Sequence, residues 1–538
     1  MKKAERLFLG VGIIAVVAVI GGAIWQHWYA NSSNKQYEYP TTQFGAFLAT
    51  QHAVYVNDFD SATEYAGQLT DTEYPIVQSV KFLSDYLAGT IPDGIEILEE
   101  EKTTASRLIY ETHLAQQGDW DELYKRHKTN DSALAAPLRI WPGVALGKQK
   151  DIIKFIQDLP TNESWKHFVI GQIYAHDGDA DQAREHFEQV SIDFMNINDY
   201  LYIMSFYAHN DMTDASQKLH DDFTSRPGGM FMLDYNTVPD WSMFSGINNQ
   251  LAFSLVQTVS HTQIMMYSDL AMLLLRFAEL SAPDFAKNND AINYYTGQYF
   301  YTNGGDYSKY FSKIDSDSPF YMFALLRMAE RDESIDILRK AIEKNPLFVP
   351  AINKQIAYHI KHGDKRDALR VINMALGDEN LDELGYAFFL KSRAHIYYMF
   401  EEYEDAQRDL HDAAKVLPLD AEILSLQAKL WAVQGRNIED AYDYAMTLIR
   451  QDPTSIMAWD TLGVVIAVRE GAQPALDVLV RVGEVANSQS SLFEHLGDLY
   501  VAIGDEKLAR DAYLRAIELS DDGLTVVPKI QKKLKDIK

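Results

Sequence analysis

A few residues in this 538-residue chain have types and spacings that chemistry could use. Asp177, Asp179 and Asp181 alternate, and Glu188 follows eleven residues after Asp177, which is the carboxylate spacing of a calcium loop. Such a loop needs a turn-making glycine at its sixth position, and Gln182 stands there. His359 and His362 lie three apart near the end of a predicted helix, but no carboxylate sits one turn earlier to complete a metal site. Gly143-Val144-Ala145-Leu146-Gly147-Lys148 has three residues between its glycines where a phosphate loop has four, and Gln149 follows where Mg²⁺ needs Ser or Thr. Neither HExxH nor GxSxG occurs, and the absence of cysteine excludes disulfides, thiolate metal sites and a thiol nucleophile. No catalytic residue, metal or cofactor is therefore expected, and the chain reads as a non-enzyme. The remote alternative is an exported enzyme with its site in residues 226–315, where Asp234, Tyr235, Asp240 and His261 are available but no spacing groups them.

Acids outnumber bases 77 to 49, giving a net charge of −28. A phosphate-neutralising groove needs clustered Lys and Arg, so nucleic acid is not an expected partner. The basic residues that do cluster lie at the two ends: Lys2, Lys3 and Arg6, then Lys529, Lys532, Lys533, Lys535 and Lys538.

Leu7 to Trp25 is 19 residues without a charge. At ~1.5 Å per residue it spans the ~30 Å hydrocarbon core of a bilayer. Trp25, Trp28 and Tyr29 sit at the far end, where amphipathic rings favour the interface, and the basic end precedes it. The positive-inside rule then puts residues 1–6 in the cytoplasm and exports the body. A cleaved signal peptide has a shorter apolar run and a small-x-small site, whereas Trp28-Tyr29-Ala30 is a poor one. Residues 7–26 are expected as an uncleaved single-pass inner-membrane anchor and 27–37 as a polar linker.

Beyond the linker, apolar residues recur at helical spacing, broken every 12–17 residues by Gly, Asp or Asn turns. The stretch Ser490 to Gly523 sets a frame. Phe493, Leu496-Gly497, Tyr500, Gly504-Asp505, Ala509, Tyr513 and Ala516 fall at positions 4, 7–8, 11, 15–16, 20, 24 and 27. Position 8 must be small because two helices cross there, and Ala at 20 lets the second helix nestle on the first. The frame recurs at Trp459, Leu462-Gly463 and Ala475, at Leu424, Ala428, Trp431 and Ala441, and at Leu390, Ala394, Tyr397, Ala406 and Pro418. It is weaker at Ile352, Gly363 and Ala368, and appears far upstream at Ile170-Gly171, Tyr174, Gly178, Ala183 and Phe187. The turns at Asp58-Phe59-Asp60, Gly118-Asp119-Trp120 and Asn210-Asp211 belong to more degenerate copies.

At nearly every signature position this frame resembles the tetratricopeptide repeat (TPR). The order of parts resembles the long, membrane-anchored TPR solenoids of bacterial envelopes, most specifically from Ala387 to Gly523. The resemblance implies an all-α, right-handed superhelical solenoid of roughly 12–15 helix-turn-helix repeats after one transmembrane helix. It further implies a scaffold for protein or peptide partners in envelope assembly, secretion or quality control, or a tether within a larger envelope machine such as polysaccharide export. The expected organisation is an N-terminal array (38–226), an irregular connector with degenerate repeats (227–314), a C-terminal array (315–523) and a capping helix with a basic tail (524–538). In that tail Ile530, Leu534 and Ile537 share one face, which suits a cap on the last repeat, with a membrane-binding helix as the rival reading.

In the TPR fold, positions 2, 5, 9, 12 and 13 of each first helix line a concave groove. The frame assigns to it Lys391, His395, Tyr398, Met399, Lys429, Asp460, Glu494 and Asp498, basic at one end and acidic at the other. The family's carboxylate clamp for chaperone tails needs Lys and Asn or Arg at set positions. Lys391 fits, whereas His395, Leu426, Met457 and Thr461 do not, so no chaperone-tail ligand is implied.

Overall fold

The computed structural model of the protein describes residues 42–70, 75–99, 103–130, 132, 134–225, 238–262, 269–332, 334–379, 381–485 and 488–537. Residues 1–41, which include the expected cytoplasmic end, anchor and linker, lie outside the described residues. Among the described residues no helix is long and apolar enough to cross a membrane. All regular structure described is helical, in two compact units. The first holds the described residues up to Phe223 and from 238 to Tyr321, and the second holds Thr224, Ser225 and those from Met322 onward.

The first unit opens with α1 (Gln43–Tyr55), α2 (Phe59–Ala66), α3 (Pro75–Leu87), α4 (Thr104–Gln117) and α5 (Trp120–His127). It continues through α6 (Pro137–Ala145), α7 (Gln149–Asp158), α8 (Glu163–Asp177), α9 (Ala180–Phe187), α10 (Ile197–His209) and α11 (Thr213–Ser225). Each inter-helix turn follows from its residues. Gly118 and Gly178 end α4 and α8 in the left-handed conformation, and the next residues, Asp119 and Asp179, accept from backbone N–H groups to cap α5 and α9. Asn57 and Asp211 take positive φ where no glycine is present.

Residues 227–314, expected as a connector, are from 238 onward largely helical and belong to the first unit. They form α12 (Ile247–His261), α13 (Asp269–Ser281), α14 (Pro283–Asn288), α15 (Asp290–Asn303) and α16 (Ser308–Phe311). Leu251, Ala252, Phe253, Leu255, Val256 and Val259 of α12 are all wholly buried. A helix apolar all round must be enclosed, and α12 and α13 lie against α3, α4, α6 and α10. Trp141 Nε1 donates to Ser254 Oγ (2.8 Å), Tyr86 Oη to the Leu273 carbonyl (3.2 Å) and the buried Arg276 Nε to the Leu87 carbonyl (2.7 Å). The inner side of these helices is thus filled by the chain itself.

Helix α17 (Pro319–Asp332) carries the boundary between the units. The second unit then stacks helix pairs: α18 (Ile335–Lys344), α19 (Val349–His362) with α20 (Lys365–Leu376), α21 (Glu383–Met399) with α22 (Tyr403–Val416), and α23 (Ala421–Val433) with α24 (Ile438–Gln451). It ends with α25 (Ile456–Arg469) and α26 (Ala472–Val485), α27 (Ser490–Ile503) and α28 (Glu506–Glu518), a single 3₁₀ turn (Ser520–Asp522) and α29 (Val527–Asp536). The repeat frame is visible in the packing. A Cβ built on Gly171, Gly463 or Gly497 would lie 2.6, 2.4 and 2.4 Å from Phe187, Leu479 and Tyr513, each sixteen residues downstream on the paired helix. Ala183, Ala368, Ala406, Ala441, Ala475 and Ala509, at position 20, are wholly buried.

Candidate partner-binding groove

In the second unit the first helices of successive pairs lie side by side, joined by polar contacts along one face. Ser425 Oγ of α23 lies 2.7 Å from Thr461 Oγ1 of α25. Asp460 of α25 is wholly buried between two partners: Lys429 Nζ of α23 at 2.6 Å from Oδ2 and His495 Nδ1 of α27 at 2.7 Å from Oδ1. Burial alone would raise the Asp460 pKa; the charges of His495 and Lys429 overcome it and hold the carboxyl well below the usual range. Lys391 of α21 is buried and bonded to Asp420 (3.0 Å) and Glu422 (2.8 Å); burial opposes its charge, but these two acids leave its pKa raised.

The other assigned residues meet the C-terminal segment of the same chain. After α28 the chain turns at Ser520–Gly523. Ser490 at the start of α27 donates to Asp522 through both N (2.7 Å to Oδ2) and Oγ (2.6 Å to Oδ1), and Thr525 Oγ1 donates to Ser490 Oγ at 3.1 Å. Asp521 pairs with Lys361 of α19. Gly523 has φ +73, and a Cβ there would stand 2.7 Å from that of Ala357 on α19, so both conformation and space ask for glycine. His395 faces the Gly523 backbone. Burial first, then the Lys429 charge, pushes its pKa down, so the ring is neutral at pH 7.

Helix α29 then lies against both ends of the face. Pro528 approaches Gly363, and Lys529 Nζ donates to the Met399 carbonyl (3.3 Å) and pairs with Glu401 (2.7 Å). Ile530, wholly buried, sits with Ala509, Tyr513 and Ala516, and Leu534 and Ile537 pack beside it. Lys533 Nζ meets Glu494 Oε1 at 2.9 Å and Asp498 at 2.7 and 2.8 Å. Tyr513 Oη also donates to Asp498. Burial, then the charge of Asp460, pushes the Tyr398 phenol up.

Models of the tetratricopeptide repeat match residues 391–456 and 491–522. The chain carries tetratricopeptide repeats. Among solved structures, a tetratricopeptide repeat protein from Parabacteroides merdae is similar at 15% identity, over 45% of this chain and 98% of that one, with a TM-score of 0.34. The APC/C hetero-tetramer Cut9–Hcn1 matches at 12% identity over 90% and 96% (TM-score 0.31), and yeast Tom70 at 12% over 92% and 96% (TM-score 0.24). No curated protein matches the chain.

The TPR groove so assigned is not an open face. Lys391, Lys429 and Asp460 are tied to repeat residues, and His395, Met399, Glu494 and Asp498 meet the tail. The sequence frame missed Glu401, Ser490, Lys529 and Lys533 as members of this site. The other candidates have local roles. Asp179 caps α9, and Glu188 pairs with Arg184 at 2.7 Å. His362 Nδ1 lies 2.7 Å from the Tyr358 carbonyl, and no metal-holding group of His, Asp and Glu occurs among the described residues. Gly143 is a packing glycine, its Cβ position 2.5 Å from Ile152. Asp240 caps the turn at Trp241–Phe244, and His261 pairs with buried Asp199 at 2.5 Å, whereas Asp234 and Tyr235 lie outside the described residues.

Proposed function

We propose that this chain is a membrane-anchored TPR scaffold that holds partner proteins in the bacterial envelope, for assembly, secretion or quality control, without catalysis of its own. TPR domains bind protein partners, and the observation that carries the reading here is that the groove of the second unit holds a polypeptide, residues 520–537, by side-chain and main-chain contacts. The anchor rests on the uncharged run 7–25 and the basic residues before it. It places the N-terminus in the cytoplasm and the repeats beyond the inner membrane.

Two measurements test this. Reporters active in only one compartment are fused to the C-terminus; activity of the cytoplasmic reporter alone contradicts the envelope placement. Cross-linking in native membranes followed by purification of the chain should recover the same proteins reproducibly. Recovery of none contradicts the scaffold.

A further inference from the structure

We propose that the part of this groove bearing Glu401, Glu494 and Asp498 is a receptor for a basic amphipathic helix of a partner protein, and that α29 is its resident competitor. The inference rests on the scaffold reading and names the partner's chemistry. Two lysines of α29, Lys529 and Lys533, meet three carboxylates supplied by the repeats, Glu401, Glu494 and Asp498. Between them, Ile530 enters an apolar seat made by Ala509, Tyr513 and Ala516. The seat therefore reads a cation, an apolar residue one position later and a second cation one helical turn on. That pattern is a property of the groove walls, and any helix that presents it from outside fits the same walls.

Helix α29 has ten residues, too few to persist as a helix once detached, so the tail loses its ordered form each time it leaves. Its Lys529–Glu401 pair is largely exposed, and exposed pairs are screened by salt. Its hold comes from the buried Ile530, from the Lys533 contacts and from tethering, which keeps it near the groove at an effective concentration on the order of millimolar. A partner helix that is longer and already folded carries no such ordering cost and displaces it. Displacement frees a basic segment with Lys529, Lys532, Lys533 and Lys535.

The probe is a synthetic peptide of residues 517–538 with a fluorophore and a helix-locking staple on the exposed side, at Gln531 and Lys535. Anisotropy is read with the full chain. We expect binding to the wild-type chain, and at least ~10-fold tighter binding to the Lys529→Ala/Lys533→Ala chain, whose own tail is loosened and whose groove walls are intact. A Glu494→Lys/Asp498→Lys chain should lose the stapled peptide and recover binding to a peptide with Lys533→Glu. Equal affinity for wild type and loosened tail, or binding indifferent to the charge reversal, overturns the proposal. Circular dichroism melts check that each variant is folded. If one is not, the single Lys529→Ala chain, altered only at the Glu401 pair and the Met399 carbonyl contact, repeats the comparison under the same criterion. Concentration-dependent dimers of the loosened-tail chain, abolished by Glu494→Lys, would assign the seat to a second copy and overturn the partner helix. Refusal of the peptide while cross-linked partners persist sinks this inference and leaves the scaffold reading standing.

Discussion

Lys533 and Asp498 lie 35 residues apart in the chain and form a forked contact, with Nζ 2.7 and 2.8 Å from the two carboxylate oxygens. Asp498 also accepts from Tyr513, and Glu494 adds a third oxygen to the lysine, so one ammonium ties α29 to α27. Burial disfavours the charged lysine, yet Glu494 and then Asp498 leave its pKa raised. We expect Lys533→Ala to destabilise the second unit by ~1 kcal/mol, the lower range for a charge-assisted bond, because the group is partly exposed. Lys535→Ala, at an exposed position, should be close to neutral. Urea melts of the two variants make the comparison, and equal midpoints would contradict the contact.

Asp460 makes a sharper case because it has no access to water. Asp460→Asn leaves Lys429 and His495 facing a neutral amide in a buried site, and we expect a loss of ~3 kcal/mol or more. Removing the charge on the other side as well, in Lys429→Met/Asp460→Asn, should restore a substantial part of it. A double-mutant cycle by chemical denaturation checks this, and purely additive losses would mean that the two residues do not interact.

Two glycines in the last repeat separate packing from conformation. Gly497 is helical, and an added Cβ would lie 2.4 Å from the Tyr513 ring; Gly497→Ala should cost ~1–3 kcal/mol by overpacking. Gly504 has φ +83 with no atom near its Cβ position, so Gly504→Ala should cost about 1 kcal/mol, through the backbone alone. Trimming Tyr513 to Leu should relieve Gly497→Ala and leave Gly504→Ala unchanged. Relief of both, or of neither, would contradict the assigned helix crossing.

His395 gives the groove a pH dependence with a defined sign. Its folded pKa is depressed, so the unfolded chain takes up a proton first as pH falls, and stability is lost from about pH 6.5 down towards the folded value. Lys429 adds to the penalty for a charged ring, while Glu422, Asp522 and the Gly523 backbone oppose it. The chain has 15 histidines, so the test is a difference. Between pH 7 and pH 5 the wild type should lose more stability than His395→Asn. Parallel curves would mean that the ring is not buried against the tail turn.

The repeat frame was legible because helix crossings constrain residue size. Gly497 and Ala509 must be small wherever two helices touch, and that repeats every 34 or so residues. The inner faces were legible only as a set of positions. The frame assigns Glu494 and Asp498 to the inner face, but Lys533 belongs to a non-repeating segment, and periodicity carries no information on where such a segment packs. The one local sign was Gly523, which the frame treats as the end of a repeat and which the structure uses for a turn against Ala357. In the first unit the sign was plainer. Leu251 to Val259 is apolar around most of its circumference, and such a helix has to be enclosed rather than left in a connector.

The groove of the second unit is held by the chain's own residues 520–537, and the lack of native cysteine makes a direct measurement possible. Glu401 and Lys529 are replaced by cysteine in the full chain, and the dilute, folded protein is treated with a short bis-maleimide. We expect rapid bridging within one chain, abolished in denaturant and slowed when excess stapled tail peptide is added. A folded chain that bridges no faster than the denatured chain would contradict it.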